Sequence, residues 1–368
     1  MLPYKACQVG DPVANIETPA LVLDLDAFER NLDLLMRQAG QMRVRPHAKS
    51  HKCPAIAHRQ MAKGAVGICC QKLSEAVVFA QAGLTDILIT NQVVGASKLA
   101  RLADLSQQCQ LGVLVDDLPQ VRALGSAMAG LAKQLDVYVE VEVGGQRCGA
   151  AAELVPELVD AILANSGLRF AGLHCYHGAA QHYREDGARE QAINKTVQTV
   201  ERVVATLKTR GIDVPCVTGA GTGTFWWERD SGCFTEIQPG SYALMDRDYA
   251  DNAVGPSDVR FEHALFIKSS VTSVSHASFA VVDAGLKALS VDSGMPGIYQ
   301  GQGLSYQKAS DEHGVVTLGT GQCLVLGQTV WLIPGHCDPT VNLYDDLIVV
   351  SNEQVVDIWP IAARGASL

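Results

Sequence analysis

The sequence has no apolar run long enough to span a bilayer, and no apolar stretch behind a basic head at Met1-Leu2-Pro3-Tyr4-Lys5-Ala6. No membrane span and no secretory leader are therefore expected, and the expected location is cytoplasmic. Basic charge is scarce: 29 Lys and Arg face 39 Asp and Glu, a formal net charge of -10. That balance argues against a nucleic-acid partner or an acidic membrane surface, both of which reward cationic excess. Cys-x-x-Cys pairs are missing too. The eleven cysteines are scattered from Cys7 to Cys337, an odd count that fits neither a disulfide framework nor a zinc finger. They are expected to be small buried apolar residues. Asn194-Lys195-Thr196 matches a glycosylation acceptor, which carries no weight without a leader. There is no low-complexity linker and no repeat of fixed period.

What is present is a chain of 368 residues, 48% hydrophobic and 18% charged, enough for a large core and two domains. From about residue 20 to 260, apolar β-like runs alternate with amphipathic helical patterns. The strand candidates are Arg43–Pro46, Val66–Cys69, Asp86–Thr90, Gln110–Val115, Val137–Val143, Phe170–Tyr176, Val214–Thr218 and Thr235–Gln238. A helix is predicted over Asp26–Ala39, with Asp26 and Glu29 as a capping box. Others are predicted over Leu73–Ala82, closed by Gly83, and over Asp186–Arg210, with Ile193, Val197, Val200, Val204 and Leu207 at helical spacing. Eight strands alternating with helices predict a parallel (β/α)8 TIM-type barrel over residues 20–260, with a doubly wound sheet as the alternative. After residue 260 the pattern changes. Phe279–Val282, Val315–Leu318, Cys323–Val325, Val330–Ile333 and Leu347–Val350 are short and glycine-punctuated, and predict a β-domain of residues 1–19 plus 261–368.

Barrel chemistry sits at the carboxyl ends of the strands. Reading those ends places His47 and Lys49 after the first strand, Gln71 and Lys72 after the second, and Asn91 after the third. Asp116 follows the fourth, Arg147 the fifth, and Tyr176-His177 the sixth. The last two strands end in Thr218-Gly219-Ala220-Gly221-Thr222-Gly223 and Pro239-Gly240-Ser241-Tyr242. Loop polarity alone accounts for most of this, but not for two glycine clusters at the final strands, where barrels often bind phosphate through backbone N–H groups. A Rossmann reading is weaker, because Phe225-Trp226-Trp227 follows rather than an amphipathic helix. Lys49 opposite a phosphate site suggests a Schiff-base lysine, kept neutral by the cationic neighbours His47, His51 and Lys52. The same run, Arg45 to Lys52, also reads as a solvated basic loop.

Several stretches resemble the D-threonine aldolases and the related 3-hydroxy-D-aspartate aldolases. They include Thr18–Asp26, Arg45–Lys52, Cys69–Ala76, Gly219–Gly223, Gly240–Asp246, Val282–Lys287, Asp311–Gly314 and Pro334–Asn342. They span nearly the whole chain in order. The resemblance implies an alanine-racemase-like fold, a homodimer, and pyridoxal 5'-phosphate bound covalently by Lys49. It implies that Gly221, Thr222, Gly223, Gly240, Ser241 and Tyr242, with Thr218 leading in, hold the phosphate. Arg147, Gln71, Tyr176 and His177 would surround the pyridine ring. The racemases of this class carry a tyrosine where Leu286 follows Gly285, and a leucine cannot carry a proton, so racemisation is not expected.

His336 and Asp338, two residues apart, would face one side of an extended segment. Alone they could equally form a turn ahead of Pro339. With the resemblance they imply a divalent metal site, and an imidazole with a carboxylate suits Mn²⁺ or Mg²⁺. The implied reaction is cleavage of a D-3-hydroxy-amino acid such as D-threonine to glycine and an aldehyde. The metal polarises the β-hydroxyl, and His182 is either its base or a surface loop residue. The alternatives are a 3-hydroxy-D-aspartate aldolase, a D-serine or 3-hydroxyaspartate dehydratase, a non-catalytic cofactor carrier, and a metal-dependent hydrolase.

Overall fold

Each apolar run pairs in parallel with the next, and the ring closes on itself. The computed structural model describes residues 5–253 and 259–368. Residues 1–4, counted above with the 1–19 segment, and 254–258, beside the expected boundary at 260, lie outside the described residues. The barrel strands are Arg43–Val44, Ile68–Cys70, Asp86–Gln92, Gln110–Val115, Leu135–Glu140, Leu168–Cys175, Val217–Gly219 and Glu236–Ile237. The eighth pairs with the first, Arg43 opposite Glu236. The last gap is sealed by a bridge from His47 to Cys69, with the Cys69 N–H donating to the Pro46 carbonyl at 2.8 Å. All eight sequence runs are strands, shifted by a few residues. Closure excludes the doubly wound alternative.

The barrel interior holds a small apolar cluster: Cys69, Leu88, Leu114, Tyr138, Ala171 and Cys216, one residue from each of six successive strands or their leads. A larger core lies between the strands and the outer helices. Of the eleven cysteines, all free, only Cys148, Cys233 and Cys323 escape burial, so thiols serve here mainly as small core residues.

The helix Leu25–Ala39 buries Phe28, Leu32 and Leu35. Its cap is not the expected Asp26–Glu29 box. Asp24 accepts from the N–H groups of Asp26 and Ala27, while Glu29 pairs with Arg59 and Lys63. The helix starts one residue earlier than its apolar pattern suggests, because Asp24 ends a strand and its carboxylate is already beside the free N–H groups. The helices Leu73–Gln81 and Asp186–Thr209 match their predicted spans.

The second sheet has nine strands. Phe279–Val282, Gly314–Leu318, Thr329–Ile333 and Asp346–Ser351 match expectation, but Cys323–Val325 is loop, with Leu324 alone of the three turned into the core while Cys323 and Val325 face solvent. The strand Ala20–Asp24, which the sequence places with the barrel, lies in this second sheet. It pairs antiparallel with Leu265–Ser273 and parallel with Asp346–Ser351. The two sheets share one apolar interface, in which Phe28 meets Trp359 edge-on at 6.3 Å and Tyr242 and Phe225 pack against residues of the β-domain.

Arg45 anchors the barrel floor. Its guanidinium donates to Glu236 at 3.1 Å and to Asp86 at 2.6 Å, tying the first strand to the eighth and the third. Replacing Arg45 by Met strands the buried Glu236 carboxylate, which costs about 3–5 kcal/mol. A fall of that size in the urea-unfolding free energy is expected. The double variant Arg45→Met, Glu236→Gln should recover most of it.

Candidate active site

Beyond the first strand the chain turns through Ala48–Ser50, which carries Lys49 into a cavity of about 280 Å³ at the carboxyl ends of the strands. The Lys49 N–H donates to His47 Nδ1 at 3.3 Å, and His47 Nε2 meets Thr90 Oγ1 at 2.8 Å. Burial, reinforced by the Lys49 charge, pushes the His47 pKa well below the ordinary imidazole range. It is therefore neutral, and its Nε2–H serves Thr90. The Lys49 ammonium lies 2.5 Å from Asp338 Oδ2. Burial works to lower its pKa, but the Asp338 carboxylate outweighs that and holds it above the ordinary lysine range. The neutralising cationic surroundings expected from the sequence are not there. His51 packs edge-on against Phe79, its pKa pushed down to about 3 by burial, and Lys52 is taken by Glu75 at 2.5 Å.

His336 and Asp338 do not sit on an extended segment. A short helix, Cys337–Val341, begins between them with His336 at its N-cap. Pro339 is tolerated there because a first-turn N–H would have no helical partner. The turn brings His336 Nε2 to 3.7 Å from Asp338 Oδ1. That oxygen is buried and has no hydrogen-bond partner among the described residues. An unpaired buried carboxylate oxygen is costly, and a cation between it and the imidazole would satisfy both. The other ring nitrogen, His336 Nδ1, contacts Asp292 Oδ2 at 2.8 Å, and Ser290 Oγ donates to Asp292 Oδ1 at 2.8 Å. This carboxylate–imidazole pairing frees Nε2 as the ligand atom. The donor set therefore fits a divalent metal. Burial works to raise the Asp338 pKa, yet Lys49 and then His336 hold it below the usual carboxylate value.

Gly221, Thr222, Gly240 and Ser241 also line the cavity, Gly240 lying beside the turn that carries Lys49. A Cβ on Gly221 would fall 2.4 Å from Gln181 Oε1, and one on Gly240 would fall 3.1 Å from the His47 carbonyl oxygen. Both turns pack tightly on their neighbours, and backbone with the Thr222 and Ser241 hydroxyls faces the space where a phosphate would bind. Tyr242 is buried behind them, its N–H donating to Thr222 Oγ1 at 3.0 Å and its hydroxyl accepting from Gln60 at 3.2 Å. Gly223 donates its N–H to Gln181 Oε1 at 3.0 Å.

A polar column runs up the barrel axis into this cavity. Arg45 meets Glu236, Thr218 donates to Glu236 at 2.9 Å, and Gln238 donates to Thr218 at 2.8 Å. His174 Nε2 then meets Gln238 Oε1 at 3.2 Å, and His174 Nδ1 lies 3.6 Å from Glu140. Burial pushes the Glu140 pKa up, but His174, Gln92 and Arg147 hold it below the usual range. Arg147, at the mouth, is 3.9 Å from Glu140 and 5.9 Å over the Tyr176 ring. Asp116, Glu140 and Cys148 bring ligand atoms within 4.8 Å of one another. Their carboxylates are already engaged, Asp116 by Gln120 and the Gly149 N–H, Glu140 by Gln92.

Residues 23–248 match a family model described as alanine racemase, N-terminal domain, and residues 264–350 match one described as putative serine dehydratase domain. The chain is 44% identical to a D-threonine aldolase of Arthrobacter sp, covering 98% of this chain and 96% of that one. It is 41% identical to a 3-hydroxy-D-aspartate aldolase of Paracoccus denitrificans, with coverage of 97% and 94%. The crystal structure of D-threonine aldolase from Filomicrobium marinum superposes with a TM-score of 0.96 at 45% identity, over 99% of this chain and 100% of that one. The chain belongs to the D-threonine aldolase family.

Within that family's alanine-racemase-like fold, the structure gathers Lys49, Gln71, Arg147, Tyr176, His182, Gly221, Thr222, Gly240, Ser241 and His336 around one cavity, with Asp338 on Lys49. Thr218, His177, Gly223 and Tyr242 do not border it. Thr218 belongs to the column beneath, and His177 is buried with Nδ1 accepting from the Ala180 N–H. Lys72 caps a helix away from the cavity. Sequence reasoning passed over Thr90, Glu140, His174, Gln238, Tyr249 and Asp292. Glu140 and Gln238 stand at strand ends, a position that could have drawn notice. Asp292 lies in a loop with no spacing relation to His336.

If Asp292 orients His336 for a metal, Asp292→Asn should weaken Mn²⁺ binding by about 10- to 100-fold. Titration of the purified protein with the metal alone, followed by calorimetry, reads this directly.

Proposed function

We propose that the chain is a carbon–carbon lyase that cleaves D-threonine, or a similar D-3-hydroxy-amino acid, to glycine and an aldehyde. In this reading Lys49 carries pyridoxal 5'-phosphate and His336 with Asp338 holds a divalent metal. One observation carries it. The Lys49 side chain, an imidazole–carboxylate pair with one buried carboxylate oxygen unpaired, and a wall of glycines and hydroxyls share one cavity, and Lys49 Nζ lies 2.5 Å from Asp338 Oδ2. When bound, the cofactor supplies an electron sink for the pair left on Cα, and the metal supplies Lewis acidity at the β-hydroxyl.

The chain's own residues supply the rest. Gly221, Thr222, Gly240 and Ser241 would bind the phosphate, and Arg147 with Tyr176 and Gln71 would flank the ring. His182 borders the cavity with Nδ1 engaged at 2.6 Å by Asp248, leaving Nε2 to take the β-hydroxyl proton. As that proton leaves, the Cα–Cβ bond breaks, the new carbonyl departs as the aldehyde, and a proton returned to Cα completes glycine. The carboxylate, with no thiolate beside it, makes this site harder than a cysteine-bearing one and is the ground for proposing Mn²⁺ or Mg²⁺.

The deciding assay offers D-threonine and the threo and erythro forms of D-3-hydroxyaspartate, scoring glycine against ammonia. Glycine is the expected product, and ammonia as the main product would replace the aldolase reading with a dehydratase. Lys49→Ala should abolish the borohydride-reducible cofactor adduct, which Lys72→Ala should leave intact. His336→Ala should suppress cleavage at least about 100-fold while the protein still takes up cofactor.

A further inference from the structure

The imidazole of His182 sits on a built support that the chemistry above does not require for the fold. His182 ends the turn Ala179–His182, after the sixth barrel strand, and is half exposed to the cavity. Asp248 belongs to the short helix Arg247–Ala250, after the eighth strand, and its side chain is 4% exposed. One Asp248 oxygen contacts His182 Nδ1 at 2.6 Å. The other accepts from Arg184 Nη2 at 2.5 Å, and Arg184 also donates to the Asp248 carbonyl and, at 2.7 Å, to Asn252 Oδ1. Asn252 donates back to the Gln181 carbonyl at 2.9 Å, one residue before His182. The buried Arg189 donates to the Tyr183 and Arg184 carbonyls and to that of Ala253. The turn and the helix are thereby locked into a closed polar ring with the imidazole on its cavity side.

We propose that Asp248, held in place by Arg184, is the positioning residue that sets the tautomer and direction of His182. A carboxylate can only accept at Nδ1, so the imidazole carries its proton there and presents the Nε2 lone pair to the cavity. Arg184 holds the opposite carboxylate oxygen through Nη2 and the Asp248 carbonyl through Nη1, which fixes the carboxylate and keeps it from turning away. The burial of Asp248 works to raise its pKa, and His182 and Arg184 together hold it below the usual range, which agrees with an ionised acceptor. This inference rests on His182 being the proton acceptor in the proposed reaction.

The test is a double-mutant cycle on the cofactor- and metal-loaded enzyme with D-threonine. Asp248→Asn keeps the shape but can offer an N–H to Nδ1, which moves the ring proton to Nε2 and removes the acceptor. The expected result is a fall in kcat of about 100-fold or more with KM and the cofactor absorbance band unchanged. In the His182→Ala background, Asp248→Asn should cost nothing further, because its effect passes through the imidazole. Arg184→Met serves as a second variant should Asp248→Asn misfold. It should give a smaller loss in kcat, again absent in the His182→Ala background. Losses that multiply in the double variants, or an unchanged kcat in Asp248→Asn, would overturn the inference alone. Full activity in His182→Ala would instead remove the acceptor role of His182, and this inference with it.

Discussion

The contact between Lys49 and Asp338 joins residues 289 positions apart and ties the two halves of the molecule at the cavity. Asp338 is the more buried partner, and its carboxylate depends on the half-exposed Lys49 ammonium to offset the cost of leaving water. The barrel face and the β-domain must therefore be seated accurately against each other. Their shared apolar interface does this, with Phe28, Phe225 and Tyr242 on one side and Ile267, Leu332 and Trp359 on the other. The central strand Ala20–Asp24 runs straight into the helix Leu25–Ala39, so the same few residues link sheet and barrel covalently as well.

Around that ion pair the polar groups are arranged with few loose ends. Beneath it, the column from Arg45 to Glu140 carries alternating donors and acceptors through the barrel axis, where an apolar filling is more usual. Such a column is tolerable because nearly every member is paired. The exceptions are informative. Among the described residues they include Glu236 Oε2 low in the column, His174 Nδ1 above it and Asp338 Oδ1 beside the cavity. Of these, Asp338 Oδ1 lies beside His336, where a bound cation would complete the network.

The fold was legible wherever periodicity carries the information. All eight barrel strands could be found from apolar runs between helical patterns, because parallel strands buried on both faces must be continuously apolar. Ala20-Leu21-Val22-Leu23 is such a run too, yet pattern alone cannot say which sheet it joins. That depends on pairing with Leu265–Ser273, some 240 residues downstream. The cavity lining was legible where it falls at a strand end, as with Lys49 and Arg147. Thr218 shows the limit, because a residue at a strand end can point into the axis as readily as into the cavity.

By itself the sequence determined the alternation of strands and helices, the lysine after the first strand, the glycine turns at the last two, and the His336–Asp338 pair. Each is a local property, carried by residue type and spacing. Only the tertiary structure decided that Asp338 reaches Lys49, that Asp292 supports His336, and that Asp248 and Arg184 hold His182. Those contacts join loops from different strands and different domains. Their existence depends on how closely the barrel and the β-domain pack, which is a sum over many weak apolar contacts and leaves no spacing signature in the chain.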